Sequence, residues 1–271
     1  MNDSGLGARP MPKTLAVITG ASSGIGMMFA RKLAPEHDLL LIARRADLLQ
    51  ALATELRGKY GGDMTILPAD LSDPEDLLRV ADRIAGEPNL GMLINNAGFG
   101  LRGAFWEADL AMLEKMHRLH VMAVLRLTHA ALRVLTLRNA GAVINVASVA
   151  AFAQRAGSAG YGATKSWLAT LTEGIYLDLQ RANSAVKVQA LCPGFTYSEF
   201  HDVMREDRHR LAPKSLWLSA EDVVDASLRA LSGGSLIVVP GWRYQFLSSL
   251  LNGLPVWLRL RAEAFGSKRG R

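Results

Sequence analysis

The chain has 271 residues, 49% of them apolar and 21% charged, which excludes disordered and fibrous classes and is enough to build a sizeable core. Its 31 Lys and Arg against 25 Asp and Glu give a formal charge of +6. The basic residues are scattered apart from a short tail, Lys268, Arg269 and Arg271, and no basic helix or aromatic-basic platform points to nucleic acid. The single cysteine, Cys192, excludes an intramolecular disulfide, and no His/Cys spacing resembles a metal site.

The first twelve residues carry an Asp and no apolar core, unlike a signal peptide, and charge-free runs such as 139–154 and 244–258 are shorter than the ~18 residues that span a bilayer. A soluble cytoplasmic protein is the expectation. Strand-length apolar runs then alternate with helical patterns in chain order. Residues 14–19 (TLAVIT) precede a glycine turn and a helix to 33; 39–43 (LLLIA) precede a helix over 47–59; 64–67 precede a helix over 74–85. Residues 92–95 lead into a long helical stretch from about 106 to 137, and 142–146 (AVINV) lead, after a loop of small residues, to a helix over 166–181. Residues 186–191 form a sixth run, and 236–239 (LIVV) close the series after a helix over 220–231. Continuous rather than alternating apolar runs mark a parallel sheet covered on both faces. The expectation is a doubly wound, Rossmann-type α/β fold with a seven-stranded parallel sheet. One domain over 1–271 is expected, with its core at about 13–240 and a C-terminal extension over 241–271.

The first strand ends in Thr19-Gly20-Ala21-Ser22-Ser23-Gly24-Ile25-Gly26 and a helix follows at once. Glycines let a backbone turn sharply and approach a pyrophosphate, and a helix N-terminus offers N–H groups and a positive dipole end to that anion. The second strand ends in Arg44-Arg45, with no carboxylate until Asp47. An acidic residue there would accept from a ribose 2′-hydroxyl, whereas guanidinium groups suit a 2′-phosphate, so NADP(H) is favoured over NAD(H). Tyr161 and Lys165 stand four residues apart, on one face if a helix starts there, and Ser148 ends the fifth strand. A phenol titrates near pH 10 (about 10), too high for work at neutral pH, and a nearby ammonium and an oxidised nicotinamide would lower it. The Ser148 hydroxyl could donate to a substrate oxygen.

Together with Asp70-Leu71, Asn95-Asn96-Ala97-Gly98 and Pro193-Gly194, these motifs resemble, in order and across most of residues 14–240, the short-chain dehydrogenase/reductase family. The resemblance implies hydride transfer between a nicotinamide and a carbonyl or alcohol. It implies Tyr161 as general acid or base, Ser148 positioning the substrate, and Lys165 binding the nicotinamide ribose and lowering the tyrosine. Gly20, Ser22, Ser23, Gly24, Ile25, Gly26, Arg44, Arg45, Asp70, Leu71, Asn96, Ala97, Gly98, Pro193, Gly194, Thr196 and Ser198 would hold the coenzyme, with Asn95 also lining the cleft. A homodimer or homotetramer through the long helices is implied as well. The family commonly has an asparagine that fixes a water leading to the lysine. The matching residue here is His120, which either holds that water and relays a proton or is simply packed in its helix. Ser198 stands where threonine is usual.

Residues 199–213 fall where the family has its substrate loop, with Phe200, Val203 and Met204 as an apolar lid, and Phe99, Leu101, Phe152 and Gln154 as further walls. Such a pocket suits a mainly apolar ketone or aldehyde. Beyond Pro240, the apolar positions Trp242, Phe246, Leu247, Leu250, Leu251 and Leu254 keep helical spacing, which suits a cover over the pocket, a subunit contact or a peripheral membrane contact. The expected activity is NADPH-dependent carbonyl reduction or the reverse. An NAD-dependent alcohol or hydroxysteroid dehydrogenase and a non-enzymatic NADP(H)-binding regulator stand as alternatives.

Overall fold

The continuous apolar runs form strands because both of their faces are covered. The structure, a computed structural model, describes residues 13–197 and 213–261. In chain order it contains β1 (Leu15–Thr19), α1 (Gly24–Leu33), β2 (Asp38–Ala43), α2 (Ala46–Tyr60), β3 (Met64–Pro68), α3 (Pro74–Ala85) and β4 (Leu90–Asn95). There follow α4 (Leu110–His117), a π-helical turn (Arg118–Ala123), α5 (Val124–Arg138), β5 (Ala142–Val146), α6 (Ala159–Arg181) and β6 (Lys187–Leu191). The described chain continues with α7 (Ala220–Ser232), β7 (Ile237–Val238) and α8 (Trp242–Gly253). The sheet order is β3-β2-β1-β4-β5-β6-β7 and every pairing is parallel, which is the doubly wound Rossmann-type arrangement.

Alternate residues of each buried strand feed opposite layers. Ala16 and Ile18 pack with Phe29 of α1, Leu49 and Leu56 of α2 and Val223 of α7. Leu15 and Val17 pack with Val80 and Ile84 of α3 and Leu127 and Leu135 of α5. Burying each such side chain contributes roughly 1.5–3 kcal/mol, so both faces of the sheet are held firmly. The chain winds away from β1 in one direction to β2 and β3, and in the other from β4 onward. At that reversal a crevice opens beyond the C-terminal ends of β1 and β4, where ligands of such sheets bind.

Two helices differ from the sequence expectation. The stretch expected from about 106 begins at Leu110, because Asp109 caps α4 by accepting from the Ala111 amide, and it is interrupted by the π-helical turn. The helix expected from 166 begins seven residues earlier, at Ala159, so Tyr161 and Lys165 do lie on one helix. Its early glycines are tolerated for packing: a Cβ on Gly160 would come within 3.0 Å of Leu113, and one on Gly162 would collide with the Gln154 amide. The continuous helical stretch Leu110–Arg138 is long and apolar enough to cross a membrane by composition, but 44% of its most apolar window is buried. Its Leu127, Ala131 and Leu135 belong to the layer packed on the sheet.

Candidate active site

The glycine turn is built by contacts that leave no room for side chains. Gly20 and Gly24 have φ of 66° and 54°, in the left-handed region that glycine enters freely. A Cβ on Gly26 would strike the Gly20 carbonyl and come within 2.5 Å of Asn96 Nδ2. Asn96 itself clamps the turn, its Nδ2 donating to the Thr19 and Gly20 carbonyls at 2.9 and 3.2 Å. Thr19 Oγ1 accepts from the amides of Asn96 and Ala97 at 2.9 and 3.0 Å. Gly20, Ser22, Ser23, Gly24 and Ile25 border a cavity of about 890 Å³, whereas Gly26 lies behind it and serves the packing. Helix α1 opens with no side-chain cap from Ser23 and no acid in its first turn, so its positive dipole end is uncompensated beside that cavity.

Arg44 and Arg45 follow β2, are exposed, and border the same cavity. Arg45 Nη2 donates to Ser22 Oγ at 3.0 Å, which ties the basic pair to the glycine turn. Asp70 is the one carboxylate among the described residues bordering the cavity, and it is already engaged. Its Oδ1 accepts from Ser72 Oγ at 2.6 Å and its Oδ2 pairs with Lys115 Nζ at 3.0 Å. Burial pushes the carboxyl up, but the hydrogen bonds from Ser72 and Lys115 outweigh it and hold the group below the ordinary carboxylate value. A cradle of glycines, an uncompensated helix start and two guanidiniums fit a dinucleotide with its pyrophosphate and a 2′-phosphate. Leu71, Ala97, Gly98, Pro193, Gly194 and Thr196 also border the cavity. Asn95 does not: it is buried between strands, donating to Thr128 Oγ1 and Asn145 Oδ1, both at 2.9 Å. Ser198 lies outside the described residues, as do Phe200, Val203 and Met204.

Ser148, Tyr161 and Lys165 converge on this cavity. Ser148 Oγ accepts from the Ala150 amide at 3.1 Å and is hydrogen-bonded to the Tyr161 phenol. Lys165 Nζ donates to the Val146 carbonyl at 2.7 Å and lies 5.8 Å from the Tyr161 ring centre. Burial pushes the phenol up to about 12, against the smaller opposing influences of Ser148 and Arg102. Burial likewise brings the lysine down to about 8. Of the two groups expected to lower the phenol, an ammonium and an oxidised nicotinamide, the ammonium does not offset burial here. The lysine is turned to a backbone carbonyl, and desolvation of the phenolate dominates. Beneath them the buried Cys192 thiol is pushed up to about 12 by burial and stays neutral.

His120 does not border the cavity but lies directly behind Phe99 and Tyr161, which do. It sits in the π-helical turn, 1% exposed, with both ring nitrogens engaged inside the protein. Nε2 accepts from the Phe99 amide at 3.1 Å, so the proton is on Nδ1, which faces Thr164 Oγ1 at 3.0 Å. Thr164 Oγ1 in turn donates to the Tyr161 carbonyl at 2.8 Å. Burial, then the charges of Lys165 and His117, hold the imidazole well below its ordinary value, so it is neutral.

At the substrate end, Phe99 and Leu101 border the cavity as expected, but Phe152 and Gln154 do not. Gln154 Nε2 turns back to the Ala150 carbonyl and Ser166 Oγ, and Phe152 packs into the core around Leu168. Their places are taken by residues the sequence pattern did not single out. Tyr244 is buried: its hydroxyl donates to the Leu216 carbonyl at 2.6 Å and accepts from the Phe195 amide at 3.1 Å. A Cβ on Gly194 would run into its ring, so Tyr244 can sit there only because residue 194 is glycine. Arg155 also borders the cavity, 5.8 Å above the Phe195 ring.

The sheet order, the glycine turn and the cleft beside it are those of a dinucleotide-binding oxidoreductase. The profile of the short chain dehydrogenase family matches residues 14–209, and the chain belongs to that family. It is 30% identical over 232 residues, 82% of this chain and 88% of the relative, to the NADP-dependent 3-hydroxy acid dehydrogenase of Schizosaccharomyces pombe. Among solved structures it resembles a short-chain dehydrogenase from Sphingobium yanoikuyae in complex with NADPH (33% identity, TM-score 0.80, covering 90% of this chain and 96% of that one). It also resembles the bulky-bulky ketone specific alcohol dehydrogenase from Comamonas testosteroni (29% identity, TM-score 0.77, 91% and 96% covered).

Proposed function

We propose that this oxidoreductase uses NADPH to reduce a mainly apolar ketone or aldehyde, and oxidises the corresponding alcohol when NADP⁺ is in excess. The observation that carries the reading is the meeting, in one cavity, of Ser148, Tyr161 and Lys165 with a glycine turn flanked by Arg44 and Arg45. The NADPH complex of the Sphingobium structure and the NADP dependence in the fission-yeast relative's name support the coenzyme. Bound in this cleft, the coenzyme supplies the hydride. Tyr161, protonated at neutral pH as any phenol is, donates a proton to the substrate oxygen. Ser148 donates to the same oxygen and stabilises its developing charge. Lys165, an ammonium below about pH 8, supplies positive charge beside the phenol and would hold the ribose of a bound coenzyme. The walls Phe99, Leu101, Phe195, Leu216 and Leu251 favour an apolar substrate body, a reading supported by the bulky ketones in the Comamonas enzyme's name. Residues 1–271 act as one unit, and the exposed Trp106, Leu125 and Leu177 of the α4–α6 region support the expected homo-oligomer.

Two tests follow from these residues. Arg44→Asp and Arg45→Asp, singly and together, are expected to weaken NADPH binding by about 10- to 100-fold through loss of charge-assisted hydrogen bonds. NADH binding is expected to hold or improve, read by coenzyme fluorescence titration. An unchanged preference in the double variant would reduce the pair to surface caps. The rate of carbonyl reduction is expected to decline above about pH 8, because a lysine lowered to that value loses its charge as pH rises through it. The profile of kcat/KM against pH checks this, and a rate flat to pH 10 (about 10) would remove the charge of Lys165 from the mechanism.

A further inference from the structure

Helix α8 has two apolar faces, and only one of them is used by the fold. Tyr244, Ser248 and Leu251 turn inward, each under 10% exposed. On the outer face Trp242, Phe246 and Leu250, spaced four apart, are 72%, 68% and 50% exposed. The helical turn over 256–261 continues the pattern with Val256 and Trp257, each 61% exposed, and Leu260. A run of large exposed aliphatic and aromatic groups on consecutive turns marks a surface that meets something apolar.

Charge identifies that partner. Residues 241–271 carry six basic side chains and one acidic one, Glu263, so this stretch holds +5 of the chain's +6. No acid at all lies between Gly241 and Arg261. Arg243 stands over the Trp242 ring at 5.3 Å and donates to the Ser215 carbonyl at 2.6 Å, while Arg261 is exposed at the end of the second turn. Arg259 reaches back to the Phe152 carbonyl at 3.5 Å, tethering that turn to the loop after Ser148. A second copy of the chain meets this face poorly: a two-fold contact would bring the same uncompensated arginines together. An interface of acyl chains beneath anionic headgroups satisfies both properties at once, since indole rings and basic residues concentrate at that level of a bilayer.

We propose that α8 and the turn over 256–261 form a peripheral docking surface for anionic membranes. Trp242, Phe246, Leu250 and Trp257 enter the lipid interface, and Arg243 and Arg261 lie among the headgroups. Leu247 is both exposed and part of the cavity wall, so docking sets the substrate end of the cavity beside lipid.

The test is flotation of the full chain with phosphatidylcholine vesicles, with and without phosphatidylserine. The full chain is expected to float with the anionic vesicles and to be released by salt, because the electrostatic part is screened. Trp242→Glu combined with Phe246→Glu is expected to lower the bound fraction at least tenfold, with elution volume and melting temperature unchanged. Because two new carboxylates could disturb α8, Arg261→Gln with Lys268→Gln, Arg269→Gln and Arg271→Gln is a second variant; it removes positive charge without adding any negative charge and is expected to weaken binding severalfold. Failure of the full chain to bind anionic vesicles overturns the proposal. So does equal binding by both variants, and so does a fall in assembly size in the glutamate variant without vesicle binding by the full chain, which would assign the face to a second subunit.

Discussion

Tyr161→Phe is expected to lower turnover by about 10²- to 10⁴-fold, the usual contribution of a positioned proton donor, while NADPH binds as before. The phenyl ring keeps the edge contact with His120, at 5.9 Å between centres, and only the hydroxyl bonded to Ser148 is lost. No carboxylic acid can replace it from the described walls: Asp70 is the single carboxylate there and is held ionised by Ser72 and Lys115. Turnover and coenzyme fluorescence measured on the same preparations separate proton transfer from binding. A variant keeping more than about a tenth of wild-type turnover would assign the proton to another group.

The largest effect on stability is expected at His120. Leucine there leaves the half-buried Phe99 amide without its acceptor and takes a partner from the buried Thr164, at a cost of about 2–4 kcal/mol, which lowers the melting temperature by roughly 5–15 °C. Asparagine, which keeps one hydrogen bond, is expected to recover part of the loss. The neutral imidazole also makes stability pH-dependent. Its folded value lies well below 6.5 while the unfolded chain takes up a proton near that pH, so acid favours unfolding. The His120 contribution is complete above the unfolded value and lost as pH falls below it, at up to about 1.4 kcal/mol per pH unit. Thermal melts between about pH 5 and 8 should show this slope in wild type and a shallower one in His120→Asn. A slope identical in the two proteins would place the acid sensitivity elsewhere. Because Thr164 joins His120 to the Tyr161 carbonyl, the histidine is read as positioning the tyrosine rather than moving protons itself.

How far the chain could be read depended on whether a feature is written locally. Helix α3 is present as expected at Pro74–Ala85, because Asp73 caps it with its carboxylate and Pro74 opens it, both plain in sequence. The start of α6 was hidden, since Ser158 offers no side-chain cap and Gly160 and Gly162 read as breakers until the close approach of Leu113 and Gln154 explains them. The π-helical turn that carries His120 leaves no periodic signal. Among the site residues, the glycine turn, Arg44, Arg45, Ser148, Tyr161 and Lys165 were legible because their spacing follows the strand ends. Tyr244 was not, because its partners Gly194, Phe195 and Leu216 come from distant stretches. Phe152 and Gln154 failed as walls for the complementary reason: sequence neighbours of Ser148, they face the core.

The family profile ends at residue 209, whereas Leu216, Tyr244, Leu247 and Leu251 of the cavity wall all come after it. The glycine turn, the basic pair and the Ser148–Tyr161–Lys165 group all precede that point. Part of the ligand-fitting wall therefore lies beyond the catalytic group in the chain, while Phe99, Leu101 and Phe195 of the same wall precede residue 209. A change in the closing stretch reshapes that end of the cavity without touching Ser148, Tyr161 or Lys165, limited by one pairing, the Gly194–Tyr244 contact, which ties the last helix to the frame before it.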